Sequence, residues 1–142
     1  MSIRITDTLD GVTGAMLKQF YIDADFDNGR TAEEHGRSFH NSVVRLAFDG
    51  DTLIGAARAI TDGVYAAAVF DVCVLPSHRG RGIGRQLMRA LMDGLTDQFI
   101  VLVCDEKLRK FYLDVGFGPL RAHDIAMARG DRIPGAETSA AE

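Results

Sequence analysis

Arg79-Gly80-Arg81-Gly82-Ile83-Gly84 stands between a short apolar run, Val69-Phe70-Asp71-Val72-Cys73-Val74, and a stretch of helical spacing. In that stretch Ile83, Leu87 and Leu91 recur four apart, with Met88, Met92 and Leu95 on the same broad face. The glycines allow a tight turn and bring backbone N–H groups close to a ligand, and the helix start adds a partial positive charge. Helix starts favour acidic side chains, yet this one carries Arg79, Arg81 and Arg85. Those cations repel the dipole and one another unless an anion sits among them. The element therefore reads as a pyrophosphate cradle. A Walker-type loop needs a Gly-Lys-Ser/Thr ending, which the chain lacks, and the dinucleotide fingerprint needs Gly-x-Gly-x-x-Gly, whereas Gly80, Gly82 and Gly84 alternate strictly.

The pattern Arg/Gln-x-x-Gly-x-Gly/Ala, filled by Arg79, Gly82 and Gly84, resembles the coenzyme A loop of the GNAT superfamily of N-acetyltransferases. Downstream, Phe111-Tyr112-Leu113-Asp114-Val115-Gly116-Phe117 resembles the aromatic-Tyr-x-x-x-Gly-Phe signature of the same superfamily. Thirty residues separate Gly82 from Tyr112, room for one helix and one strand. The resemblance covers residues 43–128. It implies an α/β fold with a mixed, mostly antiparallel sheet whose strands splay and are flanked by helices. It also implies acetyl-CoA as co-substrate, direct transfer to an amine, and no metal.

Carried over residue by residue, the resemblance assigns the pantetheine arm to the backbone of Val72, Cys73 and Val74. The pyrophosphate falls to the loop Arg79, Gly80, Arg81, Gly82, Ile83, Gly84 and Arg85. Tyr112 takes the place of the general acid that protonates the departing thiolate; an aromatic packed over the pantetheine is the other role open to it. A phenol with an ordinary pKa near 10 suits a thiol leaving group. Relatives often carry asparagine seven residues before this tyrosine, where the chain has Asp105, which serves either the cofactor or the cap of the next helix. Asp71 is the leading general base, because a carboxylate in an apolar run is expensive without a task; pairing with Arg58 or capping a turn would equally account for it.

The elements that must position these groups follow from periodicity. Ile3-Arg4-Ile5 is a first strand, 12–24 and 31–41 are helices, and Thr31 three residues before Glu34 is a cap signal. Strands 43–48 and 53–60 flank the turn Asp49-Gly50-Asp51, and Asp62-Gly63 leads into 64–75. Helix 84–95 returns the chain to a parallel strand, 99–103. A helix over 106–115 and last strands within 117–128 complete a domain of residues 1–129, with 130–142 as a flexible tail.

The acids Asp23, Asp25, Asp27, Glu33 and Glu34, interleaved with Phe20, Tyr21, Phe26 and Phe39, suit a cationic amine acceptor; a solvated helix face with a buried apolar side fits equally. A small-molecule amine and a peptide or protein amine both remain open. So does a non-catalytic acyl-CoA sensor or partner-docking protein, although the complete loop and Tyr112 speak against it. The 142 residues make one domain, 25% charged and 46% hydrophobic. A net charge of −4 with no extended Lys/Arg block argues against nucleic acid. No apolar stretch reaches membrane-spanning length, and the first residues do not open a signal peptide, so a cytoplasmic protein is expected. The two cysteines, Cys73 and Cys104, are expected as small buried hydrophobes on neighbouring strands. Such folds commonly dimerise through their last strands, so a homodimer is compatible, though nothing in 117–142 requires one.

Overall fold

Gly50, at φ +61°, closes the turn between two strands whose end residues Asp49 and Thr52 face each other. In the computed structural model, which describes residues 2–130, this hairpin is the middle of a five-stranded sheet. Its strands are β1 (Ile3–Thr6), β2 (Val43–Asp49), β3 (Thr52–Thr61), β4 (Ala66–Val74) and β5 (Phe99–Val101), lying in that order. All neighbours pair antiparallel except β4 and β5, which are parallel. A parallel pair needs a crossover. Helix α3 (Ile83–Asp93) supplies it and covers one face of the sheet with Ile83, Leu87, Met88 and Leu91.

Helices α1 (Gly14–Asp23) and α2 (Ala32–His40) cover the other face, where Leu17, Phe20, Tyr21 and Phe39 pack on Leu46, Phe48, Leu53 and Ala56. Thr13 caps α1, and the expected capping box of α2 is present, with Thr31 Oγ1 accepting from Glu34 N at 3.1 Å and Glu34 Oε1 from Thr31 N at 2.9 Å. Small residues let the layers close. A Cβ on Gly55 of β3 would lie 2.9 Å from Leu87 Cδ1, and one on Gly14 would lie 2.1 Å from the Ala32 carbonyl oxygen.

Two irregularities shape β4. Opposite Ala56 and Arg58 stand Cys73 and Phe70, so Asp71 and Val72 share the single facing residue Ala57: a β-bulge. Asp71 takes a left-handed φ of +61° there. The bulge reverses the alternation of faces, so Val69, Val72 and Val74 all join the α3-side core while Cys73 joins the α1/α2 side. Secondly, β5 accompanies β4 only from Ala66↔Phe99 to Ala68↔Val101, and Val69–Val74 continues without it. The sheet is therefore splayed.

The expected strand 99–103 ends at Val101, and the helix expected over 106–115 is a 3-10 turn, Glu106–Leu108, leading into α4 (Arg109–Asp114). No strand forms within 117–130, contrary to expectation. Gly118 and Pro119 break the extended run, Pro119 lacks a ladder donor, and Asp124 N turns back onto Arg121 O at 2.9 Å. The tail expected over 130–142 lies, apart from Gly130, outside the described residues. Among the described residues no helix is long and apolar enough to cross a membrane.

Candidate functional site

The glycine loop follows β4 directly. Leu75 N bonds Ile54 O at 2.9 Å, a 3-10 turn covers Pro76–His78, and His78 Nε2 is pinned to Asp49 Oδ2 at 2.9 Å. Gly80 and Gly82 both have left-handed φ, +76° and +77°, and Gly82 is the N-cap of α3. That start has no side-chain cap and no acidic residue in its first turn. The loop is exposed at Gly80, Arg81 and Gly82, while Ile83 and Gly84 are buried under it. Backbone donors without a capping side chain, at the positive end of an 11-residue helix, fit an anion.

Arg79 departs from the expected role. Its Nε donates to Val74 O and its Nη2 to Ala24 O, each at 2.8 Å, so the guanidinium ties the loop to the ends of β4 and α1 and is not directed to a phosphate. Arg85 remains half-exposed, with a long ion pair to Asp114 at 3.6 Å.

Asp71 is corrected more fully. Arg30 Nη2 and Nη1 donate to its Oδ1 and Oδ2 at 2.9 Å each, and Arg58 Nε donates to Oδ2 at 2.6 Å. With its side chain 1% exposed, the carboxylate has no oxygen to present to an acceptor and cannot serve as the general base. Pairing with Arg58, one of the two other roles open to it, is realised, with Arg30 added. Tyr21 Oη donates to the Asp71 carbonyl at 2.7 Å. Arg30 and Tyr21 went unnoticed in the sequence as partners of Asp71, since nothing in their own neighbourhoods points to a strand 41 and 50 residues away.

The aromatic part of the expected acceptor wall turns inward. Phe20, Tyr21 and Phe39 belong to the core and Asp27 pairs with Lys18 at 2.6 Å. Glu34 completes the capping box, and Asp23, Asp25 and Glu33 are exposed. Within that core, His35 is fully buried and stacks on Tyr21 at 5.2 Å with planes 9° apart. Neither ring nitrogen has a hydrogen-bond partner among the described residues. Burial, then the Arg30 charge, brings its pKa down to about 4.

Tyr112, on α4, is 8% exposed and packs edge-to-face with Phe111 at 4.9 Å and Phe117 at 6.0 Å. Burial, followed by the nearby thiols Cys104 and Cys73, pushes the phenol's pKa above the ordinary value near 10 on which the general-acid expectation rested, so the proton is held more tightly than expected. A groove of about 1270 Å³ is lined by Val69 and Phe70 of β4, by Ile100–Cys104, and by Tyr112. The phenol thus shares one cavity with the splayed strands. Val72, Cys73 and Val74 form the last, unaccompanied part of β4. Asp105 caps the 3-10 turn, accepting from Lys107 N at 2.9 Å. Cys73 is buried, its thiol pushed up to about 12 by desolvation, but Cys104 is exposed beyond the end of β5, contrary to the expectation of two buried thiols. Among the described residues no group of three or more His, Cys, Asp or Glu side chains is arranged to hold a metal ion.

A mixed sheet whose glycine-rich loop leads into the crossover helix is the arrangement that the resemblance to the GNAT superfamily implies. The sequence profile of the acetyltransferase (GNAT) family matches residues 12–117, and the chain belongs to that family. Histone acetyltransferase TAP1 of Glycine max is 35% identical over 106 residues, 72% of this chain and 42% of that protein. Serotonin N-acetyltransferase 2, chloroplastic, of Oryza sativa is 36% identical over 85 residues, 55% of this chain and 42% of that protein. The chain thus spans less than half the length of these curated relatives. Among solved structures, the Staphylococcus aureus protein SA2161 superposes with a TM-score of 0.80 at 24% identity, covering 92% of this chain and 100% of that one. A GNAT-family acetyltransferase from Streptococcus pneumoniae TIGR4 does so with a TM-score of 0.75 at 28% identity, covering 92% and 97%.

Proposed function

We propose that the protein is an acetyl-CoA-dependent N-acetyltransferase that moves the acetyl group directly to a primary amine within a ternary complex, without a metal. The observation that carries this is the groove that Tyr112 shares with Val69 and Phe70, the first residues of β4 beyond its pairing with β5. The amides from Gly80 through Arg81, Gly82, Ile83 and Gly84 to Arg85 hold the pyrophosphate, and the backbone of Val72, Cys73 and Val74 takes the pantetheine arm.

The amine nitrogen attacks the thioester carbonyl carbon. A backbone N–H of β4, with Val74 the first choice, stabilises the oxyanion. The carbon–sulfur bond then breaks, the thiolate takes the Tyr112 proton, and solvent returns a proton to the phenolate. Because Asp71 is occupied, the ammonium proton leaves through water. The acceptor is a small-molecule amine or a peptide or protein amine; the soybean and rice relatives named above are a histone and a serotonin acetyltransferase, which supports either class.

The test is free-thiol release from acetyl-CoA with a panel of small amines, lysine peptides and aminated metabolites. Release that depends on one amine class establishes the reaction and its acceptor. Acetyl-CoA binding without release on any amine excludes these acceptors and leaves an acyl-CoA sensor or a macromolecular acceptor.

A further inference from the structure

Asp71 joins four elements of the chain: β4 that carries it, β3 through Arg58, the segment before α2 through Arg30, and α1 through Tyr21. The surrounding donors are also engaged. Arg30 Nε bonds Asn28 Oδ1 at 3.0 Å and Arg30 Nη1 reaches Ser38 Oγ at 3.4 Å, while Arg58 Nη1 donates to Ser42 Oγ at 3.2 Å. The Arg58 guanidinium lies over the Phe70 and Phe39 rings at 5.2 and 5.9 Å. Such a network is rigid because each member fixes the next. A buried ion cluster is also not the cheapest way to fill a core, since apolar side chains of similar volume serve stability as well. Its location is what distinguishes it. Arg30, Arg58 and Tyr21 all reach the residue that holds the left-handed φ of the bulge, and the bulge sets which way Val72 and Val74 face.

We propose that Asp71 is a positioning residue: gripped by Arg30, Arg58 and Tyr21, it locks the bulge that sets Val72–Val74 for the pantetheine arm, and so couples the α1–α2 segment to cofactor binding. The inference rests on the acetyl-CoA role assigned above. Arg79 ties the glycine loop to the ends of β4 and α1, but the loop also has anchors outside the grip, His78 on Asp49 and the α3 core. Loosening the bulge therefore weakens contact with the pantetheine half of CoA and spares the nucleotide half.

The test compares two ligands on three proteins. CoA carries both halves, and 3′-phospho-ADP carries the pyrophosphate without the arm. Tyr21→Phe removes only the hydroxyl that holds the Asp71 carbonyl and keeps the ring in the core. Asp71→Asn removes the charge but keeps a residue tolerant of left-handed φ. If Asp71→Asn fails to fold, Tyr21→Phe carries the test alone. Expected is at least a fivefold loss of CoA affinity in a folded variant, with 3′-phospho-ADP affinity within twofold of wild type. CoA affinity unchanged in a folded variant overturns the inference, as does an equal loss for both ligands, which marks general damage. Wild-type protein that binds neither ligand overturns the acetyl-CoA role, and this inference with it.

Discussion

His35 offers a pH effect that can be worked from its surroundings. The ring is fully buried, stacked on Tyr21, and without a hydrogen-bond partner among the described residues. Desolvation is the chief cause of its low pKa; Arg30 and Lys18 push the same way, while Asp71 and Asp27 oppose them less strongly. The folded pKa is about 4 against an ordinary 6.5. Between those values the unfolded chain binds the proton and the folded one does not, so stability falls as pH falls through this window. At about 1.36 kcal/mol per pH unit the full loss is roughly 3 kcal/mol, a large share of a small domain's stability. Below pH 4 the contribution is flat. The assay is urea denaturation of wild type and His35→Leu at pH 7 and pH 4.5. Taking the difference between the two proteins cancels the acids that also titrate. Wild type should lose most of this amount relative to the variant on acidification. A difference between them that does not change with pH, or an imidazole resonance that titrates near 6.5, would refute the reasoning.

Further outcomes follow from the packing and the site. Tyr112→Phe keeps both edge-to-face ring contacts, so acetyl-CoA affinity should stay within twofold while kcat falls by about 100-fold or more, read by thiol release. In the wild type, alkaline loss of activity from this group should lie above the usual phenol value near 10, because burial raises it. Gly14→Ala drives a Cβ into the Ala32 carbonyl oxygen at 2.1 Å and should cost about 2–3 kcal/mol in thermal or chemical unfolding. Gly36→Ala, whose Cβ meets Gly14 Cα at 3.4 Å, should cost clearly less in the same assay.

What could be seen in the sequence was whatever local periodicity or a glycine dictates. The β2–β3 turn, the capping box of α2, the apolar stripe of α3 and the left-handed glycines of its loop are each written within a few neighbouring residues. The β4 bulge was not legible, because an apolar run with both faces buried carries no alternation to reveal a slip of one residue. The fate of Asp71 depended on Arg30 and Tyr21, distant in sequence, although a carboxylate inside an apolar strand already demanded cationic partners. Phe20, Tyr21 and Phe39 were compatible with a ligand wall until their contacts turned them inward. The last strands expected within 117–128 do not form, and Leu120, Ile125 and Met127 there stay exposed after Gly118-Pro119.

The central claim is that the loop from Gly80 to Arg85 and the start of α3 hold the pyrophosphate of acetyl-CoA. Calorimetric titration of wild type and Gly82→Val with acetyl-CoA tests it most directly. Gly82 holds φ +77° at the N-cap, and a Cβ there meets nothing within 4 Å, so valine acts chiefly through backbone strain. Left-handed strain of about 1–2 kcal/mol converts to roughly a 5- to 30-fold loss if the loop must be restored for binding. Saturable binding by wild type, weakened by that factor in a variant that remains folded, is the predicted result. No binding by wild type, or equal binding by both proteins, would contradict the claim and leave the loop as a turn alone.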